Sequence, residues 1–243
     1  MEALGTSEAI NSDIDSSQTA TTSVGRQVLP AEDRMAHRNR TVPSFALLTL
    51  AWLTTVVIGL SWLWEYEATP GEATTSPRSW PDDSRIERNM DRPTLVVFAH
   101  PRCPCTRSTI GELAVIVAHC EERVDVHVQF FRPSSVSSEW EKTDLWSSAE
   151  AIPGVSVVWD ENGSEAMRFR ATTSGYSLLY GANGQLLFNG GITGSRGHSG
   201  DNAGRSAIVS LLMNGVAAQK PNTFVFGCPL LGRDDACETG RQI

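Results

Sequence analysis

Residues 41–64, TVPSFALLTLAWLTTVVIGLSWLW, run without one formal charge and are dominated by Leu, Val, Ala and Trp. A helix rising ~1.5 Å per residue crosses a bilayer in ~20 such residues, so this stretch predicts a transmembrane helix. Downstream the apolar positions fall into shorter patterns. TLVVFA at 94–99 is a continuous run, as in a strand covered on both faces. Ile110, Leu113, Ile116 and Val117 recur at helical spacing within 106–120. VDVHVQFF at 124–131 alternates as a strand does. A short Trp-bearing helix is expected over 138–149, a strand over 155–159 and a short helix over 164–170. Residues 177–180 and 185–188 flank GANG at 181–184, where Asn183–Gly184 supplies the positive φ of a hairpin turn. Helical spacing returns over 203–213 through Ile208, Leu211 and Leu212, and Asn214–Gly215 stops it. The order β-α-β-α-β-α-β-β-α implies an α/β sandwich with a central mixed sheet.

The polar positions divide the chain further. Residues 1–40 read as a disordered tail with a basic end, because Ser, Thr, Asp and Glu dominate until Arg34, His37, Arg38 and Arg40. These basic residues precede the 41–64 span, and Glu65 and Glu67 follow it. The positive-inside bias therefore puts the N-terminus in the cytoplasm and the globular part outside, and Trp62, Trp64 and Tyr66 suit the far headgroup region. A cleaved signal peptide is the competing reading; its apolar core is shorter and ends at a small-x-small site, which SWLWEYEAT lacks. Residues 65–91, with three prolines and many Ser, Thr, Asp and Glu, read as an extended tether. The globular domain is expected over 92–215 and a Cys-containing extension over 216–243.

Composition narrows the classes. The 243 residues are 40% hydrophobic and 20% charged, with net charge −8 and five cysteines. Such a chain is neither collagen-like nor a disulfide-stapled toxin. Its acidic balance argues against nucleic acid as a partner. Nothing in it signals a nucleotide, flavin or haem site. The loop GSRGHSGDNAG lacks the Lys-Ser/Thr pair of a phosphate loop.

The chemistry concentrates at Cys103-Pro104-Cys105, where a strand ends and a helix begins. Unpaired N–H groups and the dipole of the first turn stabilise a thiolate there. Pro104 suits a first-turn position. Arg102, Arg107 and His100 are the residues expected to tune the thiol pKa. A disulfide between cysteines two apart closes a tight ring and is readily reduced. Cys228, in FGCPL, and Cys237 either pair with each other in an exported domain or leave Cys228 to resolve a disulfide with Cys103 or Cys105. Cys120 suits a buried helix face. An alternative set, His100, Cys103 and Cys105, with His198 or Cys228 as a further ligand, has the donor types for Cu(I) or Zn. In that case the protein is a copper metallochaperone; otherwise no cofactor is expected.

LVVFAHPRCPC, the strand 155–159 and DENGSEAMRFRATTSGYSLLYGANGQLLFNGG together resemble the thioredoxin-like superfamily over 92–215. With the anchor, HPRCPCTR, GITGSRGH and FGCPL, the chain looks most like the membrane-anchored RedB-type proteins. The resemblance implies thiol–disulfide exchange with client protein thiols or disulfides, Cys103 attacking and Cys105 resolving. It also implies a substrate loop at Ser174, Gly175 and Tyr176. Two departures stand out: CPC replaces the usual CxxC, and Gly175 occupies the position of the family's cis-proline, which presents backbone to a substrate peptide. A thioredoxin-fold interaction module with purely structural cysteines is the third reading.

Overall fold

The computed structural model describes residues 31–72, 74–134, 143–215 and 222–230. Two compact units divide at Thr55. A long helix, α1 (Ala31–Ala68), contains a stretch, Ser44–Ala68, that is long and apolar enough to cross a membrane. Its hydroxyls suit that solvent: Thr49, Thr54, Thr55 and Ser61 each donate to the carbonyl four residues back. The helix is longer than the expected 41–64 and takes in both the basic cluster and residues 65–68.

From Val56 the second unit continues through β1 (Thr94–Ala99), α2 (Pro104–Cys120), a 3₁₀ turn (Glu121–Arg123) and β2 (Asp125–Arg132). Next come α3 (Asp144–Glu150), β3 (Val155–Glu161), α4 (Ser164–Phe169), β4 (Tyr176–Tyr180), β5 (Leu186–Gly190) and α5 (Ala203–Asn214). The strands form one sheet in the order β3-β2-β1-β4-β5. β1 and β2 are parallel, as are β2 and β3, while β4 runs antiparallel to both β1 and β5. β1 is buried throughout because it lies at the sheet's centre and both faces are covered. Its side chains alternate between two cores. Leu95, Val97 and Ala99 pack with Ile110, Leu113 and Ile116 of α2 and Ile208 of α5. Val96 and Phe98 pack on the other face with Phe169, Leu178 and Tyr180. This is an α/β sandwich with a central mixed sheet, as the order of elements implies, in the thioredoxin-like arrangement that the resemblance implies.

The 65–91 tether is where the structure departs most from the sequence reading. The described residues of 71–92 lie along the domain. Leu186 N–H donates to Arg78 O (2.8 Å), Trp80 N–H to Gly184 O (2.8 Å) and Gly71 N–H to Val225 O (2.8 Å). Trp80 packs edge-on against Phe169 (5.1 Å) and Tyr180 (5.2 Å), and Ile86 is buried. The physical reason is that β5 ends the sheet, and the groups along an uncovered edge need partners. Replacing Trp80 with Ala is expected to lower stability by about 2 kcal/mol and to open 71–92 to proteolysis. Urea unfolding and limited proteolysis check this; a free tether would leave both unchanged.

Candidate functional site

β1 delivers the chain to His100-Pro101-Arg102, and α2 starts at Pro104. The intervening turn is closed by backbone and hydroxyl bonds to one carbonyl: Cys103 N–H (3.1 Å) and Thr106 Oγ1 (3.1 Å) both donate to His100 O. Ser174 ties the turn to the loop before β4. Its Oγ accepts the His100 N–H (2.9 Å) and lies 2.8 Å from Thr106 Oγ1. Cys103 therefore immediately precedes the helix, where donors are left over, and Pro104 sits where its missing N–H costs nothing.

Three cysteines meet there. Cys103 is wholly buried, Cys105 nearly so at 8%, and Cys228 is half-buried. The Cys103 sulfur is the acceptor of the group. The Cys105 side chain pulls its pKa far below the ordinary thiol range. The Cys228 side chain and the backbone N–H groups of Cys228 and Cys105 act in the same direction against burial. The Cys228 N–H stands 3.4 Å from Cys103 Sγ. Cys105 moves the opposite way. Its hydrogen bond to Cys103, then burial and the neighbouring negative charge, push it far up, only partly opposed by Arg196 and the Gly197 N–H. The contacts favour the thiolate at Cys103 and the protonated thiol at Cys105.

Of the charges around the turn, Arg196 bears on Cys105. Arg107 is exposed and turns to Asp144, whose carboxyl it holds below the usual range. Arg102 is exposed, and its backbone N–H donates to His100 Nδ1 (3.2 Å). His100 is buried and stacks on Phe131 (5.8 Å); its bonds organise the turn. The cation near Cys105 is Arg196, which also donates to Gly227 O (2.9 Å) and lies over the Tyr66 ring at 5.1 Å. An Arg in a Gly-rich loop carries no sequence signal for this place. Arg107→Ala is expected to leave the Cys103 titration unchanged, read from thiolate absorbance at 240 nm against pH.

Glu112 was also invisible in the sequence reading. It lies on α2, is buried, and binds Arg205 (2.6 Å), Gly200 N–H (2.7 Å) and Asn202 Nδ2 (3.2 Å). It thereby anchors the loop that carries Arg196 and Gly197.

For the alternative metal set the structure gives the following positions. His100 Nδ1 is engaged by Arg102, and His198 is exposed. Among the described residues no three His, Cys, Asp or Glu side chains are gathered as a metal requires. Cys120 lies in the core, where burial raises its pKa. Cys237 and residues 231–243 lie outside the described residues, as do 1–30.

The loop at Ser174, Gly175 and Tyr176 packs directly behind the cysteines. Gly175 has φ +92° and donates its N–H to Phe98 O (2.7 Å). A proline, fixed near −65°, cannot take that conformation, so the loop follows a path of its own. Its outer edge is occupied by the chain itself. Ser174 N–H donates to Cys228 O (2.8 Å), Leu230 N–H to Thr172 O (2.8 Å), and Thr173 faces Pro229 in an antiparallel bridge. The Tyr176 hydroxyl is 3.1 Å from Ser76 Oγ in the docked 71–92 segment.

No family model matches the chain, and no curated protein sequence does. Among solved structures, it is similar to an uncharacterised conserved protein from Geobacillus kaustophilus: 14% identity, TM-score 0.54, covering 68% of this chain and 97% of that one. A hypothetical protein from Sinorhizobium meliloti is similar at 16% identity and TM-score 0.53, covering 68% and 99%. A looser match, TM-score 0.32 and 17% identity, is a secreted Mycobacterium tuberculosis disulfide oxidoreductase, covering 39% of this chain and 66% of that one. At these identities the likenesses of the first two concern the fold.

Proposed function

We propose that this chain is a membrane-anchored thiol–disulfide exchange protein of RedB type. Its α1 span holds the domain on the outer, periplasmic side of the membrane, with the basic residues before the span in the cytoplasm. Cys103 is the attacking thiolate. Cys105 and Cys228, the two thiols that touch it, are the candidates to resolve its mixed disulfide with a client protein thiol or disulfide. The observation that carries the reading is the meeting of three cysteines at the start of α2, with the Cys228 N–H 3.4 Å from Cys103 Sγ. A purely structural cluster is the second reading, favoured by the full burial of Cys103.

The test is an equilibrium titration of the full chain in detergent micelles against glutathione redox buffers. Each thiol is read by alkylation and peptide mass spectrometry. Exchange requires a disulfide that includes Cys103 and forms reversibly in the range of biological exchange couples, about −120 to −270 mV. Cys103 absent from any disulfide at every ratio would refute it.

A further inference from the structure

We propose that residues 225–230 act as a built-in substrate strand: Cys228 is the thiol that closes a disulfide with Cys103, and the strand must leave its seat before Cys103 meets a client. This rests on the exchange reading above and adds a third catalytic cysteine and a gate to it.

The strand is bonded on both sides. Ser174 N–H and Thr172 O pair with Cys228 O and Leu230 N–H, as a short antiparallel ladder would. Arg196 holds Gly227 O, and Gly71 N–H donates to Val225 O. Gly227 is fitted to the seat, since a Cβ there would stand 2.0 Å from Ser174 O. This pairing puts the Cys228 N–H on Cys103 Sγ. With the strand seated, Cys103 is completely buried, while Cys228 keeps partial access to solvent. A client sulfur cannot reach Cys103 past a seated strand, whereas Cys228 is already there. Cys105 lies two residues along the same helix start, where a bond to Cys103 closes a tight ring.

The sequence of bonds balances. The Cys103 thiolate attacks a client disulfide, forming a Cys103–client bond and releasing one client thiolate. Cys228 gives up its proton to solvent, and its thiolate attacks Cys103 Sγ. The Cys103–Cys228 bond forms and the second client thiolate leaves. The client has gained two electrons and the cysteine pair has lost them; a donor dithiol reverses the steps.

The test uses the full chain in detergent micelles, in the wild type and a Cys237→Ser background, with oxidised glutathione as the probe, acid quenching and peptide mass spectrometry. The linked peptide expected in both is Cys103–Cys228. In Cys228→Ser, the Cys103–glutathione adduct should accumulate by about tenfold or more because its resolving thiol is gone. In Gly227→Ala, iodoacetamide should reach Cys103 about tenfold faster because the strand is unseated. A dominant Cys103–Cys105 bond with no rise of the adduct in Cys228→Ser overturns the inference and leaves exchange standing. So does a Cys228 that joins only Cys237. A Cys103 that enters no disulfide overturns both.

Discussion

Replacing Cys103 with serine is expected to abolish thiol–disulfide exchange, leaving the chain no faster than its unfolded form toward a disulfide probe. The hydroxyl keeps the position of the sulfur but is no nucleophile at neutral pH. The substitution also removes the acceptor on which Cys105 and Cys228 converge. In the parent protein the pH dependence has a definite sign. Cys103 is held far below the usual thiol range by the Cys105 side chain first. It should therefore ionise at lower pH than an ordinary thiol, and its reaction with a disulfide should rise far less steeply between pH 6 and pH 8. An ordinary thiol, with pKa about 8.5, gains almost tenfold in rate per unit over that interval. Cys105→Ser should steepen the profile by removing the largest stabilising contact of the thiolate. Stopped-flow kinetics with a chromogenic disulfide checks both variants.

The second large effect is expected at Glu112. Glu112→Gln takes the buried counter-charge from the half-buried Arg205, and breaking one side of a fully buried pair costs about 3–5 kcal/mol. Arg205 keeps Asp201 as a second, exposed partner, which puts the loss toward the lower figure. The Gly200 N–H and Asn202 contacts weaken with the charge, so the 193–200 loop loses its anchor on α2. Urea unfolding measures the loss. Arg205→Gln combined with Glu112→Gln should cost less than the sum of the two single changes, because neither charge is then left alone.

What could be read from the sequence was what hydrophobic periodicity writes down. TLVVFA reads as a doubly covered strand and became the buried centre of the sheet; Asn183–Gly184 reads as a turn, and Gly184 has φ +76°. The docking of 71–92 was not legible, and that of 222–230 only as one of two readings of Cys228, because both segments are held in large part by backbone hydrogen bonds at sheet and loop edges. Such bonds need no apolar pattern: Arg78 O, Gly184 O and Cys228 O are all carbonyls whose partners lie over a hundred or several tens of residues away. The same limit applies at the site. CPC before a helix marks the turn from sequence alone. That Arg107 would turn to Asp144 while Arg196 approached Cys105 depends on where two loops fold back. Nothing in the sequence marks Gly227, whose place is set by its closeness to Ser174 O.

The account stands on a thiolate at Cys103, and the most direct measurement is the 240 nm absorbance of the reduced full chain from pH 4 to 9, minus that of Cys103→Ser. A difference signal equal to one thiolate, present across pH 5 to 8 and removed by no change in that range, is the predicted result. A difference that appears only as pH rises through about 8.5 would show an ordinary thiol at Cys103 and contradict the account.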